Sequence, residues 1–312
     1  MTGQDLLLAL TLVVLVVTLL SVVGVTVFHH FWTGRRNEQK AKMAEEIRPQ
    51  LMEFLAADEP DLSRFEAEQG LRSQLIDDLA ETIIGKLRGA DRERLVFLLD
   101  RRGTLDRARR RLISHRPAVR ARALQLLGST GAPGALPDLV ASLRDRDRTV
   151  REVATRSVGR LGDPAATSFL LALLARPDRS VPEHLIRMAL FRLGRPAIPS
   201  LVRELRHFSP DVQRCAADVL GHLGAAEAVG PLTDLALLGD DDEVSLVALA
   251  AINRIDGPMT DDALRKLNDE ARSPGLRNAV ADVLERRARP TSPDAGPGAG
   301  SSTERELVTD SG

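Results

Sequence analysis

Apolar residues along this chain fall into two patterns. From residue 6 to residue 28 they run nearly unbroken, LLLALTLVVLVVTLLSVVGVTVF, without one charged side chain. From residue 119 onward they recur at helical spacing in blocks of constant length. Val119, Val150, Val181 and Val212 stand 31 residues apart, and Val244 continues the series after a one-residue slip. Counted from each opening Val, an Ala or Leu returns at plus four in Ala123, Ala154, Leu185, Ala216 and Ala248. A Leu returns at plus twenty in Leu139, Leu170, Leu201, Leu232 and Leu264.

The first half of each block, as in VREVATRSVGRLG from Val150, places apolar residues at zero, plus three, plus four and plus eight, one stripe of an α-helix. Glycines follow at plus nine (Gly128, Gly159, Gly221) and plus twelve (Gly131, Gly162, Gly224), shifted by one to Gly194 and Gly257 in two copies. They read as helix stops, since Gly adopts the left-handed conformation that closes a helix. A second stripe runs through Leu136, Leu139, Val140 and Leu143 in one copy and Ile198, Leu201, Val202 and Leu205 in another. Each block is therefore a helix pair that must stack on its neighbours to bury both stripes. Asp145 and Asp147, Asp178, Ser209 to Asp211 and the acidic run Asp240 to Glu243 lie between blocks, placed to cap the next helix rather than to hold a metal.

VRARALQLLGSTG, VREVATRSVGRLG and VQRCAADVLGHLG resemble units of HEAT-repeat arrays of the short, phycobilisome-lyase-like subtype. The resemblance covers about residues 119–288. It implies an all-α fold, an α-solenoid in which HEAT-like helix pairs form a right-handed superhelix with the second helices on the concave face. Members of that subtype attach bilin chromophores, but this sequence offers no matching catalytic set.

The apolar run would span about 34 Å as a helix, enough for a bilayer core of about 30 Å. It predicts a transmembrane helix over 6–28 after a short extracytoplasmic N-terminus, 1–5. Only Asp5 is charged before it, whereas Arg35, Arg36, Lys40 and Lys42 follow. That asymmetry places the repeats in the cytoplasm of a single-pass cell-membrane protein. His29, His30, Phe31 and Trp32 read as interfacial anchors. Residues 29–70 form a juxtamembrane helical linker whose stripe Met43, Ile47, Leu51 and Leu55 can pack on the domain or, coiled-coil fashion, on another helix. Residues 71–118 supply N-terminal capping helices, with Leu71, Leu75, Leu79, Ile83 and Leu87 as the buried stripe of the first. Repeats fill 119–288, and the Pro-, Gly- and Ser-rich tail 289–312 is predicted to be disordered.

Net charge is −1, yet charge is unevenly placed. Arg92 to Arg122 holds eleven Arg against Glu93, Asp100 and Asp106, while Asp234 to Glu270 holds ten acids against Arg254, Arg265 and Lys266. The basic end, next to the anchor, suits an anionic leaflet, which makes Arg101, Arg102, Arg107, Arg109, Arg110 and Arg111 the candidate membrane-surface residues. A nucleic-acid-binding solenoid is the third-ranked reading, because the chain has no Tyr and its one Trp lies beside the apolar run.

No nucleophile with a base, metal-ligand cluster or phosphate loop stands out, and the single Cys215 falls in a helix stripe. The expectation is a non-enzyme without metal or cofactor, a scaffold or adaptor for a protein partner. Its candidate binding residues are the exposed second-helix positions Asp138, Phe169, Arg176, Ser200, Arg203, His207, Asp234 and Lys266. The alternative that the resemblance implies is an enzyme-accessory or lyase-like role.

Overall fold

The computed structural model describes residues 41–57, 61–68, 70–176, 181–239 and 241–288, which are helices and connecting turns without a strand. The expected membrane span 6–28, its flanks up to residue 40, Asp178, Asp240 and the tail 289–312 lie outside them. Among the described residues no helix is long and apolar enough to cross a membrane.

The chain divides into two compact units, ending and starting at Glu204 and Leu205. In the first, helices α1 (41–56), α2 (Ser63–Glu66), α3 (Gly70–Ile84), α4 (Gly89–Arg101) and α5 (Thr104–Arg111) lead into three helix pairs. These are α6 (Pro117–Thr130) with α7 (Leu136–Ser142), α8 (Arg148–Leu161) with α9 (Thr167–Leu171), and α10 (Glu183–Leu193) with α11 (Ile198–Glu204). The second unit holds α12 (Pro210–His222) with α13 (Val229–Leu238), α14 (Asp242–Arg254) with α15 (Pro258–Glu270), and a final α16 (Pro274–Ala288). Within each unit, first helices pack side by side, α6 on α8 on α10 and α12 on α14 on α16. Second helices make the other layer, α9 on α11 and α13 on α15.

The predicted register is the core. Val150, Val181, Val212 and Val244 are buried, as are the plus-four and plus-twenty residues of all five copies. Val119 is only half-buried, because α6 meets α3 and α5 on that side instead of another repeat. Gly131, Gly162 and Gly224 do end their helices at positive φ. The plus-nine glycines do something else. They lie inside first helices, and a Cβ on Gly128, Gly159 or Gly221 would sit 2.6–2.7 Å from a backbone or Cβ atom of Ser157, Ala189 or Ala251. They bring neighbouring backbones together, and the reading of them as stops is corrected.

Two caps form as expected, Asp147 accepting from the Val150 N–H and Asp241 from the Glu243 N–H. Ser209 makes no side-chain cap. Asp145 turns inward and takes a two-pronged bond from Arg120 at 2.6 and 2.8 Å, both side chains being largely buried. Arg120 also donates to the Ser114 carbonyl, so the Arg after Val119 ties together the turns on either side of its pair. Burial pushes the Asp145 carboxyl up. Bonds from Arg120 and the Asp147 N–H, with the charges of Arg120 and Arg146, outweigh this and hold it below the ordinary carboxylate range.

Of the two uses expected for the linker stripe, packing on the domain is the one seen. α1 runs through Pro49 and buries Ile47, Leu51, Phe54 and Leu55. Phe54 meets Phe65 edge to face at 5.3 Å, and Arg94 donates to the Leu55 carbonyl. The stripe is used within the chain, so α1 belongs to the cap. In α3 the buried row is Leu75, Ile76, Ala80 and Ile84, with Leu79, Ile83 and Leu87 half-buried and Leu71 exposed.

Candidate functional site

The second helices of the first unit present Asp138 on α7, Phe169 on α9 and Ser200 on α11, equivalent positions 31 residues apart. Phe169 is 49% exposed, although Leu170 beside it is fully buried. Ser200 accepts a 2.9 Å bond from Arg203, and Asp138 faces Arg109 at 3.5 Å. Arg176, just beyond α9, is half-buried. In the second unit Asp234 and Lys266 are exposed on the packed pair α13 and α15. His207 is not free for a partner in the same way. Its Nδ1 accepts from the Ser209 N–H at 3.0 Å and its ring stacks on Phe208, so it braces the entry to α12.

The six candidate membrane-surface arginines separate. Arg102 is a strut whose side chain is 3% exposed, bonded to Asp77, to Ser73 and to the Phe65 carbonyl. Its place on a membrane surface is corrected on that ground. Arg107 also reaches Asp77 and the Arg102 carbonyl, and Arg101 pairs with Glu66. Arg109 bridges Asp106 and Asp138. Arg110 and Arg111 remain exposed.

A further basic site went unnoticed in the sequence. Arg92 from α4, Arg160 from α8 and Arg192 from α10 line one open pocket of about 440 Å³ with Gln125 and Ser129 of α6 and Glu81 of α3. Ser129, Arg160 and Arg192 each stand two residues before the Gly that follows their helix, as in GRLG and FRLG. That repeated signal could have found them. Arg92 is held in place by the Ser129 carbonyl at 3.0 Å. Arg160 is exposed as a whole residue, yet crowding by protein atoms, then the charges of Arg192 and Arg156, lower its guanidinium from the ordinary range. The acid in the pocket, Glu81, is drawn toward Arg122 at 3.4 Å. Its carboxyl is pushed up chiefly by burial. Among the described residues no group of three or more His, Cys, Asp or Glu could hold a metal.

A family model described as HEAT repeats matches residues 105–191 and 197–289. The chain belongs to the HEAT-repeat family. The match begins at α5, ahead of the Val119 at which the repeats were expected to start. Among solved structures this HEAT-repeat chain is similar to human deoxyhypusine hydroxylase in complex with glycerol, at 19% identity over 68% of this chain and 95% of that one, TM-score 0.28. It is similar to the complex of CpcE and CpcF of phycocyanin lyase from Nostoc sp., at 22% identity over 74% and 97%, TM-score 0.32. An engineered protein aligns at 18% identity over 72% of each chain, TM-score 0.34. At these identities and scores the likeness bears on neither activity nor ligand. No curated protein matches the sequence.

Proposed function

We propose that this HEAT-repeat protein is a membrane-anchored scaffold or adaptor that docks a protein partner at the cytoplasmic membrane surface through its second-helix face. The observation that carries the reading is Phe169. A half-exposed aromatic stands on α9 between polar residues at the equivalent positions of α7 and α11, beside the fully buried Leu170 that fills the core. Aromatics so placed are frequent anchors of protein interfaces, and polar neighbours supply the rim. Arg203 and Ser200 give that rim a positive, hydrogen-bonding edge. The uncharged run 6–28 followed by basic residues supports the anchor and its orientation.

The test is affinity capture with the intact chain beside Phe169→Ala and Arg203→Glu. Loss of the same captured protein in both variants supports docking on this face, and an identical set in all three overturns it. A topology reporter fused after Gly312 checks the orientation. Activity outside the cell would overturn the cytoplasmic placement.

A further inference from the structure

The pocket at the C-terminal ends of the first helices carries an inference independent of the docking face. The macrodipole explains why a single Arg sits at the end of α8 or α10, since a cation is favoured there. It does not explain why Arg92, Arg160 and Arg192 line one pocket. Among the described residues Arg160 and Arg192 have no acidic partner within ion-pair distance, while Arg122 pairs with Asp78 and Glu81 and Arg156 with Glu152. The charge of Arg192 acts against that of Arg160, and the one carboxylate among the described lining residues, Glu81, is engaged by Arg122. An arrangement of like charges left uncompensated on rigid helices is the mark of a place prepared for a counter-charge.

We propose that Arg92, Arg160 and Arg192 form a binding site for the dianion of a phosphate monoester. Charge balance selects the class. With Glu81 already engaged by Arg122, the three guanidinium groups have no carboxylate of their own among the described lining residues, and a doubly charged phosphate offsets more of that charge than a carboxylate would. Geometry agrees with it. Guanidinium forks pair with phosphate oxygens through parallel N–H donors, the Gln125 amide adds a donor, and Arg92 is already oriented by the Ser129 carbonyl. A pocket of about 440 Å³ has room for a phosphoryl group and a small part of what bears it. The position on α8 and α10, away from Phe169 on α9, means that failure of this site leaves the docking reading standing, and the reverse.

The experiment titrates the full chain with inorganic phosphate by calorimetry at constant ionic strength, with chloride as the balancing anion. O-phosphoserine and vesicles containing phosphatidic acid are run beside it to separate a soluble source from a lipid headgroup. Saturable binding, weakened about tenfold in each of Arg160→Gln and Arg192→Gln and unchanged in Arg116→Gln, is expected. The melting temperature of unliganded Arg160→Gln should stay level or rise, because a repulsion is removed. Binding that does not saturate, equal competition by acetate, unaltered affinity in the double variant, or a lowered melting temperature for Arg160→Gln would each overturn the site.

Discussion

Arg109 Nε lies 3.5 Å from Asp138 Oδ2, joining a residue of the basic segment to one of the second-helix face. Two surfaces that looked separate in the sequence, one for lipid and one for a partner, meet at this pair. Exposed pairs of this kind contribute about 1 kcal/mol or less. Asp138→Asn should therefore leave the melting temperature nearly unchanged. Its effect belongs to binding, where it leaves Arg109 paired with Asp106 alone, and the check is capture at two salt concentrations.

Arg102→Gln and the double variant Arg110→Gln, Arg111→Gln should behave oppositely. The first breaks a buried network centred on Asp77 and should cost about 3 kcal/mol in denaturant unfolding. The second should leave stability alone and lower adsorption to vesicles containing phosphatidylserine at low salt. Equal adsorption by the double variant would remove lipid contact from this segment.

At Gly159 an Ala gains about 1 kcal/mol in helix propensity but places its Cβ 2.7 Å from the Ala189 Cα. Two backbones must separate, so Gly159→Ala should be destabilising by about 1–3 kcal/mol. Gly230→Ala, with nothing within 4 Å of the added Cβ, should be neutral or stabilising. Ser157, opposite Gly128, holds a buried hydroxyl without a hydrogen-bond partner. Ser157→Ala keeps the small contact and should stabilise by about 1 kcal/mol.

Asp145 supplies a pH signature. A carboxyl whose pKa is lowered on folding stabilises the fold above its unfolded pKa of about 4, and the contribution is lost as pH falls through the lower folded value. Asp145→Asn should lower the melting temperature at pH 7. Below pH 4 the difference from wild type should shrink as the native carboxyl is protonated. A constant difference across that range would show that the Arg120 contact does not depend on the charge.

The repeat period was legible because helix pairs obey one spacing and buried Val, Ala and Leu positions cannot drift without exposing the core. The cap was harder. α3 reads as a leucine stripe, but its buried row runs through Leu75, Ile76, Ala80 and Ile84, and Ala80 carries no hydrophobic signal strong enough to reveal that. Phe169 was visible because its position is polar in neighbouring copies. Arg160 and Arg192 were hidden in plain repetition, since a basic residue near a helix end is ordinary and only the stacking of α8 on α10 turns two of them into a pair. The double role of glycine was lost for the same reason. GRLG holds one glycine that ends a helix and one that admits the next.

Those inner glycines make the spacing between first helices a property of main chain against main chain. Side chains usually act as cushions whose bulk can be traded against a neighbour's. At Gly128, Gly159 and Gly221 there is no cushion, and the pitch of the stack inside each unit behaves as a ruler whose graduations substitution can only coarsen. Surface residues on the second helices are then free to be rewritten for a new partner without the ruler changing.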